Sequence, residues 1–150
     1  MSRIASWIAC IVVIVSTSAT QAQGQFSIRA ASAEPVEGWQ RMQVEHSDRV
    51  VWVAPTAAVV ASDIEKAQPQ VRPNGDTVIA VVFTDAGAKK IHDLTTAQLK
   101  KLVAMVVDDR LIWAPTVMQP QEGKQGVLTG GNTGHGLTQE EVELILASLR

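Results

Sequence analysis

Cysteine is almost absent: Cys10 is the sole thiol in 150 residues, and it lies inside the first apolar stretch. A lone cysteine forms no intrachain disulfide, and one that leaves with a leader takes any thiol nucleophile or cysteine metal site with it. Tyrosine is missing, and two phenylalanines accompany four tryptophans. Basic excess is missing too: 13 Lys and Arg stand against 15 Asp and Glu, a net charge of −2, which points to neither nucleic acid nor anionic lipid. Histidines number three and are scattered, without metal-ligand spacing. No GxSxG elbow, HExxH zinc helix or P-loop occurs, so the familiar hydrolase and nucleotide signatures are excluded.

The N-terminus reads Met-Ser-Arg, then apolar from Ile4 to Val15, then STSATQAQG. This tripartite pattern predicts a cleavable signal peptide over residues 1–22, with cleavage after Ala22 and Ala19 as the alternative. The apolar part falls short of the ~20 residues that a spanning helix needs, and Cys10 comes too early for lipoprotein processing. Cleavage leaves 128 residues with 12 basic and 15 acidic side chains, enough for one exported domain, periplasmic or secreted, held by burial alone. No later segment is long and apolar enough to span a membrane. Residues 23–35, rich in Ala, Ser and Gln, read as a linker, and 36–150 as the domain.

Val78–Phe83 and Leu102–Val107 are Val-rich and apolar at both parities, which predicts central strands. The intervening helix, capped by Thr84 or Asp85 and ending near Leu94, predicts a crossover that makes them parallel or near neighbours. Gly87 in its first turn marks a close approach. Asp108-Asp109 predicts a two-residue hairpin pairing Val107 with Arg110 and Met105 with Ile112. Leu102, Ala104, Val106, Leu111 and Trp113 then face the core, and Val103, Met105, Val107, Arg110 and Ile112 face solvent.

Val36–Val44 and Val50–Ala54 predict a second hairpin around His46-Ser47-Asp48-Arg49. Ser62 and Glu65 have capping-box spacing for a short helix stopped by Pro69, and Pro73-Asn74-Gly75-Asp76 is a turn. Pro115 and Pro120 predict an edge strand or loop, and Gly126–Thr129 a last strand. The glycine-dense Thr129–Gly136 precedes a final helix with Thr138 as cap, Glu141 closing the capping box and Leu137 stapled to Val142.

The segments ASDIEKA, VVFTDAGAKKIHDLT, LVAMVVDDRLIWAPTV and GVLTGG…GLTQEEVELIL, taken in that order, resemble the head subdomain of the first periplasmic domain of SecD, an accessory subunit of the bacterial Sec preprotein translocase. The matching features are Asp85-Ala86-Gly87-Ala88 at the helix start, the Asp108-Asp109 hairpin, Ala114-Pro115 and Thr138-Gln139-Glu140-Glu141. The resemblance covers roughly Val50–Arg150; Asp109 stands where the family has a turn glycine, and the Gly130–Gly136 loop is longer. It implies an α+β head and contact with extended polypeptide. No transmembrane bundle is visible, so the family's export-motor activity is not implied for this chain.

The remaining candidates for chemistry each have a plainer explanation. His92-Asp93 lies on a helix, where sequence neighbours diverge, so a solvated face is favoured over a dyad. His46 and His135 fall in turns. TGGNTGHG before a helix lacks the following Lys-Ser/Thr, and Glu140 and Glu141 would repel a phosphate. Asp108-Asp109 reads as an exposed turn before a cation site, and Trp39, Trp52 and Trp113 as core. The expectation is a single small α+β domain: a mixed or antiparallel sheet with two main helices on one face, no cofactor, no metal and no catalytic residue. Its expected function is non-enzymatic binding of a protein or extended polypeptide through Met105, Val107, Arg110 and Ile112. An accessory subunit of an envelope complex and a hydrolase with an unrecognised site are the alternatives.

Overall fold

The computed structural model describes residues 25–130 and 136–149; the expected signal peptide and the middle of the glycine-rich loop lie outside them. The described chain runs β1 (Phe26–Ser32), β2 (Gln40–Gln43), β3 (Val50–Val53), β4 (Val59–Val60), a 3-10 turn (Ala61–Asp63), β5 (Ile64–Val71), β6 (Thr77–Phe83), α1 (Asp85–Ala97), β7 (Leu102–Val107), β8 (Arg110–Trp113), β9 (Gln125–Leu128) and α2 (Gln139–Ser148).

One sheet has the order β2-β3-β1-β7-β8, with β4 also on β1; a second has the order β5-β6-β9. The strand ladders are antiparallel. The first sheet curls on itself: Val44, just past β2, bridges Leu111 of β8, and the Glu45 amide donates to the Leu111 carbonyl at 2.8 Å. Ala104, Val106 and Leu111 pack inside this curl against Val44, Val51 and Val53. The opposite side chains, Val103, Met105, Val107 and Ile112, enter a larger core with Ile79, Phe83, Ile91 and Ile145. Both helices close that larger core, so the α+β class stands.

Three expectations are corrected. Residues 26–32, expected within a linker, are β1, the strand beside β7 over six successive partners from Phe26↔Val107 to Ala31↔Leu102. Ala and Ser are weak strand formers, yet here Ser27 and Ala31 are buried with Phe26 and Ile28 because the strand is central. Because β1 and β8 occupy both sides of β7, and β5 and β9 both sides of β6, the two Val-rich strands lie in different sheets and are not parallel neighbours. The helix expected after Ser62 is instead a 3-10 turn leading into β5, where Asp63 accepts the Val60 amide at 3.0 Å. Pro69 is admitted because β5 is an edge.

Local signals performed better at turns and caps. Asp108 and Asp109 take φ of 50° and 63°, the two positive values a tight hairpin requires. The register runs Val107↔Arg110 and Val106↔Leu111, then shifts so that Met105 meets Trp113 instead of Ile112. The Thr138–Glu141 capping box is formed, each amide donating to the other's side chain at 3.2 Å. α1 continues to Ala97, past its expected end near Leu94. Thr95 and Thr96 do not interrupt it, because their hydroxyls donate back to the Ile91 and His92 carbonyls at 2.7 Å.

Gly87 fixes how α1 approaches the sheets. A Cβ there would stand 2.2 Å from the Asp63 carbonyl oxygen and 2.9 Å from the Asp63 Cβ. The same carbonyl accepts the Thr84 amide at 2.9 Å, and Lys90 Nζ reaches the Asp63 carboxylate at 2.9 and 3.2 Å. Burial pushes that carboxyl's pKa up, but the Val60 amide and Lys90 outweigh it, so Asp63 ionises below its ordinary 3.8.

Gly87→Ala is expected to destabilise by about 1–3 kcal/mol through overpacking, although alanine favours a helix interior by about 1 kcal/mol; urea melts measure the difference. A depressed carboxyl pKa contributes stability above the unfolded value and loses it as pH falls through the folded value. The acid-induced loss of stability below about pH 4 is therefore smaller in Asp63→Asn than in the wild type. Melts at pH 7 and pH 3 check this, and an identical loss in both proteins would remove Asp63 from the account.

Candidate functional site

Met105, Val107 and Ile112, expected on a solvent-facing binding surface, are 3%, 0% and 0% exposed. They lie beneath the second sheet and the helices, a layer the sequence did not place over them. Arg110 is half-buried and already engaged: its Nε and Nη2 donate to Glu45 at 3.0 and 3.3 Å, and Nη2 reaches Glu140 at 3.4 Å. The Arg110 hydrogen bond outweighs burial and holds the Glu45 carboxyl below its usual range. Arg110 thus ties the β7–β8 hairpin to the turn after β2 and to the start of α2.

Among the described residues, His46 and His92 do not assemble a reactive centre. His92 Nδ1 lies 3.0 Å from the Gln121 carbonyl, with Asp93 exposed beside it. His46 Nε2 lies 3.5 Å from Glu141, whose carboxylate serves the α2 cap. His135 lies outside the described residues. Among the described residues no three His, Cys, Asp or Glu side chains gather as a metal site. Trp39, Trp52 and Trp113, expected as core, are half-buried.

The structure opens elsewhere. A cleft of about 260 Å³ separates β9 from the segment that follows β8. Ile28, Val103 and Met105 contribute from the first sheet, Phe83 and Leu128 from the second, Ile91 and Thr95 from α1, and Trp113, Pro115 and Val117 from the far wall. Met105 is therefore the one expected contact residue that reaches the cleft. Met118 and Val127, 77% and 42% exposed, also line it.

Gln121 holds the wall in place. Its amide donates to Thr95 Oγ1 at 2.8 Å, and its side chain donates to the Gln125 carbonyl at 2.6 Å. The Thr95 hydroxyl can accept this bond because its own proton goes to Ile91.

Among the described residues β9 is an edge, paired to β6 on one side. The Phe83 amide donates to the Lys124 carbonyl at 2.7 Å across this ladder. Antiparallel pairing alternates, so Gln125 and Val127 turn their main-chain groups away from β6, toward the free edge. Gly126, between them, gives β9 its close approach: a Cβ there would meet the Phe83 ring at 2.9 Å.

Among the described residues, none that lines the cleft carries a titratable side chain. The arrangement can receive apolar side chains next to a strand edge. The sequence signal for it was the short apolar stretch Val117-Met118 bracketed by Pro115 and Pro120.

The family model for the SecDF P1 head subdomain matches residues 39–146. The chain is 29% identical over 96 residues to protein translocase subunit SecD of Thermobaculum terrenum, covering 63% of this chain and 18% of that protein. It is 31% identical over 72 residues to SecD of Rhodobacter capsulatus, covering 48% and 13%, and 29% identical over 90 residues to SecDF of Thermus thermophilus, covering 60% and 12%. The chain thus spans less than a fifth of these relatives. A crystal structure of SecDF in a super-membrane-facing form superposes with a TM-score of 0.65 at 20% identity, over 85% of this chain and 19% of that one. A second structure, of SecDF as a membrane component that enhances protein export, gives 0.63 at 19% identity, over 85% and 62%. Because the family model spans most of its length, the chain belongs to the SecDF P1 head subdomain family.

Proposed function

We propose that this chain is a non-enzymatic, extracytoplasmic module that binds extended polypeptide in the cleft beside β9. One observation carries the reading: an uncharged apolar cleft adjoins the outward main-chain groups of an edge strand. Main-chain pairing is indifferent to side-chain identity, and a shallow apolar pocket accepts many side chains. Together they suit a partner that is unfolded and variable in sequence. The relatives are named subunits of the protein translocase, which supports a place in protein export. Export of this chain itself rests on the N-terminal Arg3, the apolar Ile4–Val15 and the Thr20–Ala22 cleavage pattern. Among the described residues no helix is long and apolar enough to cross a membrane.

The same names favour a second reading, an accessory part of an envelope complex that docks on one fixed partner. A hydrolase is disfavoured by the uncharged cleft.

A photo-cross-linker placed at Met118 or Val127 is expected to capture an unfolded model polypeptide, and one at Asp109 or Glu143 is not. Equal capture from all four positions would refute the cleft. Val127→Pro removes an amide that points away from β6, so it should weaken capture roughly tenfold and leave the β6–β9 ladder intact. In cells, one dominant cross-linked partner in place of a spread of exported chains would favour the docking reading.

A further inference from the structure

We infer a second binding surface, for an acidic stretch of polypeptide, in the groove between the β1–β2 loop and the α1–β7 connection. The groove holds about 710 Å³ and shares Thr116 with the cleft beside β9, so the 115–117 segment divides the two. Its lining brings together Trp39, Arg49, Lys100 and Lys101 from three separate places in the chain.

The cations are held by structure. Lys100 donates its amide to the Val117 carbonyl at 2.7 Å, and the Lys101 carbonyl accepts the Val117 amide at 2.8 Å. Lys100 accordingly takes a φ of 63°, a left-handed value that a lysine adopts only when its neighbours impose it. Arg49 Nη1 donates to the Ala114 carbonyl at 3.0 Å, which anchors its guanidinium. Trp39 follows Gly38, which turns the chain at φ 81°, and its amide closes that turn on the Val36 carbonyl at 3.1 Å.

Among the described residues, none of these three cations has a carboxylate within ion-pair distance, as is also true of Arg29, Arg41, Lys66, Arg72 and Lys89; what sets the three apart is that they line one groove. Glu34 is the one acidic lining residue. The lining therefore carries three positive charges against one negative in a chain whose net charge is −2. Three like charges gathered with a single counter-charge repel, and an incoming anion relieves that repulsion. The half-buried indole forms an apolar wall that a polypeptide can lie against. The occupant is an extended segment bearing several Asp or Glu side chains. This surface stands apart from the cleft reading: it rests on charge, the cleft on apolar area and a strand edge.

The test uses the full-length chain and a labelled ten-residue Glu/Ser peptide, with Lys/Ser and Gly/Ser peptides of equal length as controls. Binding of the Glu/Ser peptide alone is expected, with a change in Trp39 fluorescence that Trp39→Phe abolishes. Raising salt from about 0.02 to 0.2 M should weaken it severalfold. Lys100→Glu with Lys101→Glu should weaken it tenfold or more without shifting the melting temperature. Met118→Glu, in the other cleft, should leave it unchanged. The inference is overturned if no peptide binds, if the neutral peptide binds equally, or if the double lysine variant binds like the wild type. It is also overturned if vesicles rich in anionic phospholipid, and not the peptide, show the lysine dependence.

Discussion

β7 has no face turned to water, and that constraint organises the molecule. Its six side chains are all buried, alternately inside the curl of the first sheet and beneath the second sheet with the helices. Burying six apolar side chains contributes on the order of 10 kcal/mol, comparable to the whole net stability of a small domain. Two layers must therefore be built, one for each face. β1 and the Val44–Leu111 closure supply the first; β6, α1 and α2 supply the second.

The cleft follows from the same arrangement. The second sheet has three strands and therefore two edges, β5 and β9. β5 ends as an exposed edge carrying Pro69, Lys66 and Glu65, residues that discourage further pairing. β9 carries Gly126, Val127 and Leu128 instead, and Gln121 meets only the Gln125 carbonyl of its outward groups. One edge is blunted and the other is kept open next to apolar side chains. That asymmetry, more than the volume of the cleft, directs a partner to β9.

Sequence patterns conveyed what depends on neighbours along the chain. Thr138 and Glu141 announce a cap because the bond they make spans three residues, and Asp108-Asp109 announces a turn for the same reason. They failed where the deciding neighbour is remote. A strand apolar at both parities states that both its faces are buried, but not by what. Assigning Met105, Val107 and Ile112 to solvent followed from Arg110 sharing their side, yet Arg110 sits at the strand's end, where Glu45 and Glu140 meet it. The 26–32 segment was hidden by its alanines and serines; Ser27 and Ala31 are buried because β7 lies beside them. The cleft was hidden because its walls come from β1, β6, α1, β7, β8 and β9 together.

Charge shows the complementary logic. Where the fold needs two elements joined, it spends an ion pair: Lys90 with Asp63 joins α1 to the 3-10 turn, and Arg110 with Glu45 and Glu140 joins the hairpin to α2. Such pairs are worth little at the surface unless geometry holds them, and here the Gly87 contact and the Thr138 cap already do so. Arg49, Lys100 and Lys101 line one groove and join no carboxylate; the Arg49 guanidinium and the main chain of the two lysines are bonded to the 114–117 segment. Their position beside Trp39, across the 115–117 segment from an uncharged cleft, sets an electrostatic surface next to an apolar one. A single extended chain carrying both acidic and apolar stretches would find a counterpart for each within one small head.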